Sequence, residues 1–88
     1  NKIMTQFSYT IQDETGIHAR PAGALVKLAR EMPCAVVMKK DGKTADLKKI
    51  FTLMALAVKC GDTVTVEVSG EGEKAAADKL SAYFRENL

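Results

Sequence analysis

Residues 63–69 alternate without a fault: Val64, Val66 and Val68 on one side, Thr63, Thr65, Glu67 and Ser69 on the other. A period of two in β-branched residues predicts a strand with one face in the protein and one in water. Residues 5–12 repeat the pattern, with Phe7, Tyr9 and Ile11 opposed to Ser8, Thr10 and Gln12. A sheet with one wet face forces the helices to share the other.

The intervening chain supplies those helices. Asp13-Glu14-Thr15-Gly16 breaks the first strand, and a helix then runs to about residue 32, where Pro33 ends it. Ala22, Leu25, Val26, Ala29 and Met32 recur at helical spacing and should face the core. Ala35-Val36-Val37-Met38-Lys39-Lys40 reads as a second strand, Asp41-Gly42 as a hairpin turn, and Lys43-Thr44-Ala45-Asp46-Leu47 as the returning strand. A short helix is predicted over residues 49–58. It is apolar nearly all round, more than a core needs. Leu53, Leu56 and Ala57 suffice for its buried face, so some of the remaining apolar surface should be exposed for a partner. Gly70-Glu71-Gly72 lacks the full G-x-G-x-x-G spacing and is read as a turn. A last helix over residues 73–87 buries Ala76, Ala77, Leu80 and Phe84.

The order is βαββαβα in a single domain of residues 1–88, an α+β open-faced two-layer sandwich with a mostly antiparallel sheet. Periodicity leaves the strand order open, with a ferredoxin-like arrangement as one solution.

Composition narrows the function. Thirteen basic and eleven acidic residues give a net charge of +2, too balanced to argue for nucleic acid. Lys39, Lys40, Lys43, Lys48 and Lys49 do cluster in sequence, either as solvated positions or as a docking face for an acidic partner. The polar sheet face offers Ser8, Thr10, Thr65 and Glu67 where a nucleic-acid module would carry stacking aromatics. No apolar run approaches the ~20 residues that span a bilayer, and no secretory signal is visible. No membrane insertion is expected, and the expected location is the cytoplasm. Met4 is the expected natural start. Cys34 and Cys60 stand outside any C-x-x-C pattern and are expected to be small buried or half-buried thiols. With one histidine there is no metal-ligand cluster, and no cofactor is expected. A phosphate-binding P-loop and a carboxylate cluster for magnesium are both missing, so a complete enzyme is not expected.

That histidine lies in Gly16-Ile17-His18-Ala19-Arg20-Pro21, where a loop turns into the first helix. Pro21 suits the first turn of a helix, where a missing N–H costs little. A helix start presents unpaired N–H groups and about half a positive charge. An imidazole there, with a guanidinium two residues on, is equipped to take up a phosphoryl group and stabilise its charge. Imidazole is largely uncharged near neutral pH and is also a good leaving group.

The run Gly-Ile-His-Ala-Arg-Pro-Ala resembles the active-site signature of the HPr family, the histidine-containing phosphocarriers of the bacterial sugar phosphotransferase system. The similarity extends to the opening strand, Asp41-Gly42, Leu47-Lys48-Lys49-Ile50-Phe51 and the amphipathic C-terminus. The resemblance implies strand order 1-4-2-3 with three helices on one face, and His18 as phosphoacceptor through Nδ1. It implies Arg20 as partner of the phosphoryl group, the N–H groups of Ala19 and Arg20 as its backbone ligands, and Ile50, Phe51 and Met54 as the docking surface. The implied role is a monomeric, stoichiometric carrier from enzyme I to enzyme II A proteins, without nucleic acid. A regulatory paralogue phosphorylated at His18, for example of a nitrogen branch, is the alternative. One position departs from the pattern. Gram-positive members carry a regulatory serine where this chain has Lys49, so control through that site is not expected.

Overall fold

The computed structural model describes residues 4–17 and 19–88. The elements are β1 (Met4–Thr10), α1 (Ala19–Arg30), β2 (Ala35–Lys40), β3 (Lys43–Asp46), α2 (Ile50–Ala55), β4 (Thr63–Ser69) and α3 (Glu73–Asn87). The strands form one sheet in the order β1-β4-β2-β3, and every pairing is antiparallel. This is the α+β open sandwich expected, with the competing topology excluded. Strand β4, the most regular in sequence, lies between β1 and β2. Val66 is opposite Phe7 on one side and Met38 on the other.

The alternation of β4 becomes a division between two environments. Val64, Val66 and Val68 are fully buried under the helices. On the open face Ser8 shares a hydrogen bond with Thr65 (3.1 Å) and Thr10 with Thr63 (2.8 Å), while Lys39 pairs with Glu67 (3.0 Å). Helix α1 buries Ala22, Leu25, Val26 and Ala29, with Met32 just beyond its end, and α3 buries Ala76, Ala77, Leu80 and Phe84. The Phe84 ring meets Phe7 and Tyr9 edge-on, with centroids 5.6 and 5.7 Å away. The β2–β3 turn places both Asp41 (φ 50°) and Gly42 (φ 79°) in the left-handed region, the geometry favoured by two-residue hairpins.

Three expectations need correction. Helix α2 spans Ile50–Ala55 instead of residues 49–58. Its last turn tightens through bonds from Leu56 N to Leu53 O and Ala57 N to Met54 O, and Ala57 then turns left-handed (φ 51°). Ala57 is consequently exposed, and the buried face of α2 rests on Leu53 and Leu56. Cys34 is buried as expected, but Cys60 is exposed, because it sits at the tip of the turn before β4.

Candidate functional site

Gly16 and Ile17 lead to the sole histidine, and their placement is tightly determined. Asp13 folds the loop on itself: its Oδ1 accepts from Thr15 N (2.8 Å) and its carbonyl from Gly16 N (2.9 Å). Leu88, buried at the end of α3, accepts at its carbonyl from both Gln12 N and Asp13 N. On the other side, Ile17 N donates to Val58 O at 3.1 Å. Gly16 lies so close to this segment that a Cβ would stand 2.5 Å from Val58 O and 2.7 Å from Lys59 Cα, and its φ is +72°. No other residue type fits there.

His18 lies outside the described residues. Ala19, the next residue in the chain, opens the twelve-residue helix α1, followed by Arg20 and Pro21. Ala19 and Arg20 are both exposed, and their N–H groups belong to the first turn, where no intrahelical acceptor is available. No acidic side chain occupies that turn, so nothing on the helix itself offsets the positive end of its dipole. Arg20 lines a cleft of about 360 Å³ with Asp13, Pro21, Ala24, Tyr83 and Asn87. The Tyr83 hydroxyl donates to Pro21 O at 3.1 Å, anchoring the first turn of α1 to α3. Burial pushes the Tyr83 phenol up, further from the pH at which it would lose its proton.

Helix α2 runs antiparallel to α1. Its start is tied to the far end of α1, where Arg30 Nε donates to Lys48 O (2.8 Å) and Lys48 Nζ to Met32 O (2.9 Å). Its far end leads into Val58 and so back to Ile17. Phe51 is 87 % exposed and Met54 39 %, whereas Ile50 is half-buried against the core. Lys49 is the exposed N-cap residue, in extended conformation and without a side-chain cap.

The lysine cluster divides in three dimensions. Lys39 is engaged on the open sheet face, Lys40 pairs with Asp62 at 3.0 Å, and Lys48 is turned onto Met32 O. Lys43 and Lys49 remain exposed. Nothing local in the sequence singles out Leu88, Lys40 or Asp62 as supports of the site. Only Tyr83 carried a signal, an aromatic ring with a polar tip at the edge of the buried stripe of α3. Among the described residues no group of three His, Cys, Asp or Glu side chains is placed to hold a metal, and no helix is long and apolar enough to cross a membrane.

A family model described as the PTS HPr component phosphorylation site matches residues 5–86. The chain belongs to the HPr family. It is 40% identical over 85 residues to the HPr-like protein Crh of Bacillus subtilis, covering 97% of this chain and 100% of Crh. To the phosphocarrier protein HPr of Lysinibacillus sphaericus it is 40% identical over 78 residues, 89% of each chain. The histidine-containing phosphocarrier protein of Mycoplasma superposes with a TM-score of 0.90 at 30% identity, over 93% of both chains. A Crh crystal structure superposes at 0.76 with 40% identity, over 91% of this chain and 92% of that one, and is described as a domain-swapped dimer. The HPr-like sandwich is thus shared in topology as well as in sequence.

Proposed function

We propose that this HPr-family chain accepts a phosphoryl group from phosphorylated enzyme I on His18 and passes it to enzyme II A proteins in sugar uptake. The observation that carries the reading is the Gly16–Ile17 lead-in, clamped on Val58, which meets a helix start with free N–H groups and Arg20 immediately after His18. Those N–H groups and the Arg20 guanidinium stabilise the charge brought by the phosphoryl group. The same dipole disfavours the imidazolium and keeps the ring nucleophilic. The chain works as a stoichiometric carrier in the cytoplasm, and the partners share the catalysis of transfer. Phe51 and Met54, with Ile50 at their margin, form the docking patch, and Lys49 adds a positive charge at its rim. The chain is read as acting as a monomer.

Incubation with enzyme I and phosphoenolpyruvate tests the reading. The mass should rise by one phosphate, with an acid-labile, alkali-stable linkage, and His18→Ala should abolish it. Unchanged labelling of His18→Ala would sink the assignment. Arg20→Ala should fold normally and slow transfer, because the nucleophile stays while its charged partner is lost.

A regulatory role is the second reading, favoured by the full-length similarity to Crh. Transfer from the labelled chain to a sugar-specific enzyme II A protein separates the two, since a regulatory paralogue would not pass its phosphoryl group to that acceptor.

A further inference from the structure

Lys40, the last residue of β2, directs one ammonium group at three acceptors. Its Nζ lies 3.0 Å from Asp62 Oδ2 and donates to the carbonyls of Leu56 (3.2 Å) and Ala57 (3.1 Å). The Lys40 side chain is only 14 % exposed, against 49 % for Lys39 in the neighbouring ion pair on the open sheet face. Asp62 also accepts from Lys59 N at 2.8 Å. That backbone bond, followed by the Lys40 ammonium, holds the Asp62 carboxyl below its ordinary range.

These contacts bracket residues 56–62. Within the bracket Ala57 holds a left-handed φ of 51°, a conformation a residue with a Cβ rarely adopts. The carbonyls of Leu56, the C-cap of α2, and of Ala57 just beyond it accept there from a side chain of β2. The bracketed segment is also the seat of the loop before His18. Val58 O accepts from Ile17 N, Gly16 rests on Val58 and Lys59, Asp62 O accepts from Ile11 N, and Gly61 N donates to Ile11 O. The docking helix and the loop therefore meet on one short stretch of backbone, and Lys40 with Asp62 fastens it.

We propose that Lys40 and Asp62 are positioning residues for phosphoryl transfer, a clasp that holds the α2 docking patch and residues 13–17 in one fixed relation. The proposal rests on the reading of His18 as phosphoacceptor. A donor protein seated on Phe51 and Met54 presents its phosphoryl group at a place set by α2, while the acceptor is placed by the loop. Transfer requires both in register, and small misplacements are costly. Without the clasp the patch still binds, but the loop is no longer held in line with it.

The test compares Lys40→Met with Lys39→Met, which removes the same charge from the neighbouring residue on the other face of the sheet. Phosphorylation by enzyme I and phosphoenolpyruvate supplies kcat and KM, and amide hydrogen exchange on the unphosphorylated chain reports the loop directly. For Lys40→Met, kcat should fall by roughly 3- to 30-fold with KM within about twofold of wild type. The Ile17 and Gly61 amides should exchange at least ~10-fold faster while β4 amides match those of Lys39→Met. Lys40→Arg should recover much of kcat.

Equal kcat and equal Ile17 protection in Lys40→Met and Lys39→Met would overturn the proposal. Should Lys40→Met fail to fold, Asp62→Asn decides by the same two measurements, since it leaves the ammonium on Leu56 and Ala57. A wild-type chain that takes no phosphoryl group overturns the function and the clasp together; a labelled wild type with an indifferent Lys40→Met overturns the clasp alone.

Discussion

Lys49 occupies the one position of α2 where a side-chain oxygen has most to offer. It is the N-cap, its backbone is extended (φ −125°, ψ 110°), and no side chain caps the helix. A hydroxyl here accepts from the N–H groups of the first turn, while a cation faces the positive end of the dipole. Lys49→Ser should therefore raise stability by about 0.5–1 kcal/mol in urea unfolding. Lys49→Glu should leave the fold intact and slow phosphorylation by enzyme I several-fold, an effect that fades as salt rises. Wild-type rates in Lys49→Glu would mean that charge at this position plays no part in docking. At the scale of residues the sequence was most legible where chemistry is local. The capping position of Lys49 and the exposure of Phe51 are each set by a few neighbouring residues. Lys40 and Asp62 were not legible, since twenty-one intervening positions separate them and neither sits in a motif.

At the scale of elements, α2 shows why an apolar helix has to be divided before it is understood. It has six residues, and Leu53 with the flanking Leu56 carries its burial, while Phe51 and Met54 face outward. Phe51→Ala should change stability by no more than about 0.5 kcal/mol, since an 87 % exposed ring has little burial to lose. The same change should weaken binding to enzyme I by roughly 1–3 kcal/mol if Phe51 anchors the patch. Leu56→Ala should do the reverse, costing about 2–5 kcal/mol of stability. Urea unfolding beside calorimetric titration with enzyme I checks both, and a Phe51→Ala variant that unfolds would reverse the assignment of the faces. Helical periodicity located the element but overran its end by three residues. The stop comes from a left-handed Ala57 and from an ammonium on another strand, and alanine ordinarily signals continuation.

For the whole molecule, alternation in β1 and β4 established that one sheet face is wet, and from that the two-layer plan. It could not order the strands, because the partners of β4 lie at opposite ends of the first half of the chain. Order depends on which apolar faces fit together, and the contacts involved are far from local. Phe84, close to the C-terminus, is fully buried with its ring edge-on to Phe7 and Tyr9 of the edge strand β1. It joins the last helix to the first strand. The loop before His18 depends on the same junction, since Leu88 O, one turn beyond Phe84, holds Gln12 N and Asp13 N. Truncating Phe84 thus removes a core side chain and loosens the anchor of the site together. A domain of this size has roughly 4–13 kcal/mol of stability in all, of which Phe84→Ala should remove about 3–5 kcal/mol. Phe84→Leu keeps most of the volume but loses the edge-to-face contacts, and should cost less than half as much. If the junction transmits to the site, Phe84→Leu, still folded, should show faster amide exchange at Gln12 and Asp13 than at Ile17, whose acceptor lies on the opposite side of the loop. Equal acceleration at all three amides would mean that the loop is held by the core as a whole and that the bonds to Leu88 add nothing of their own.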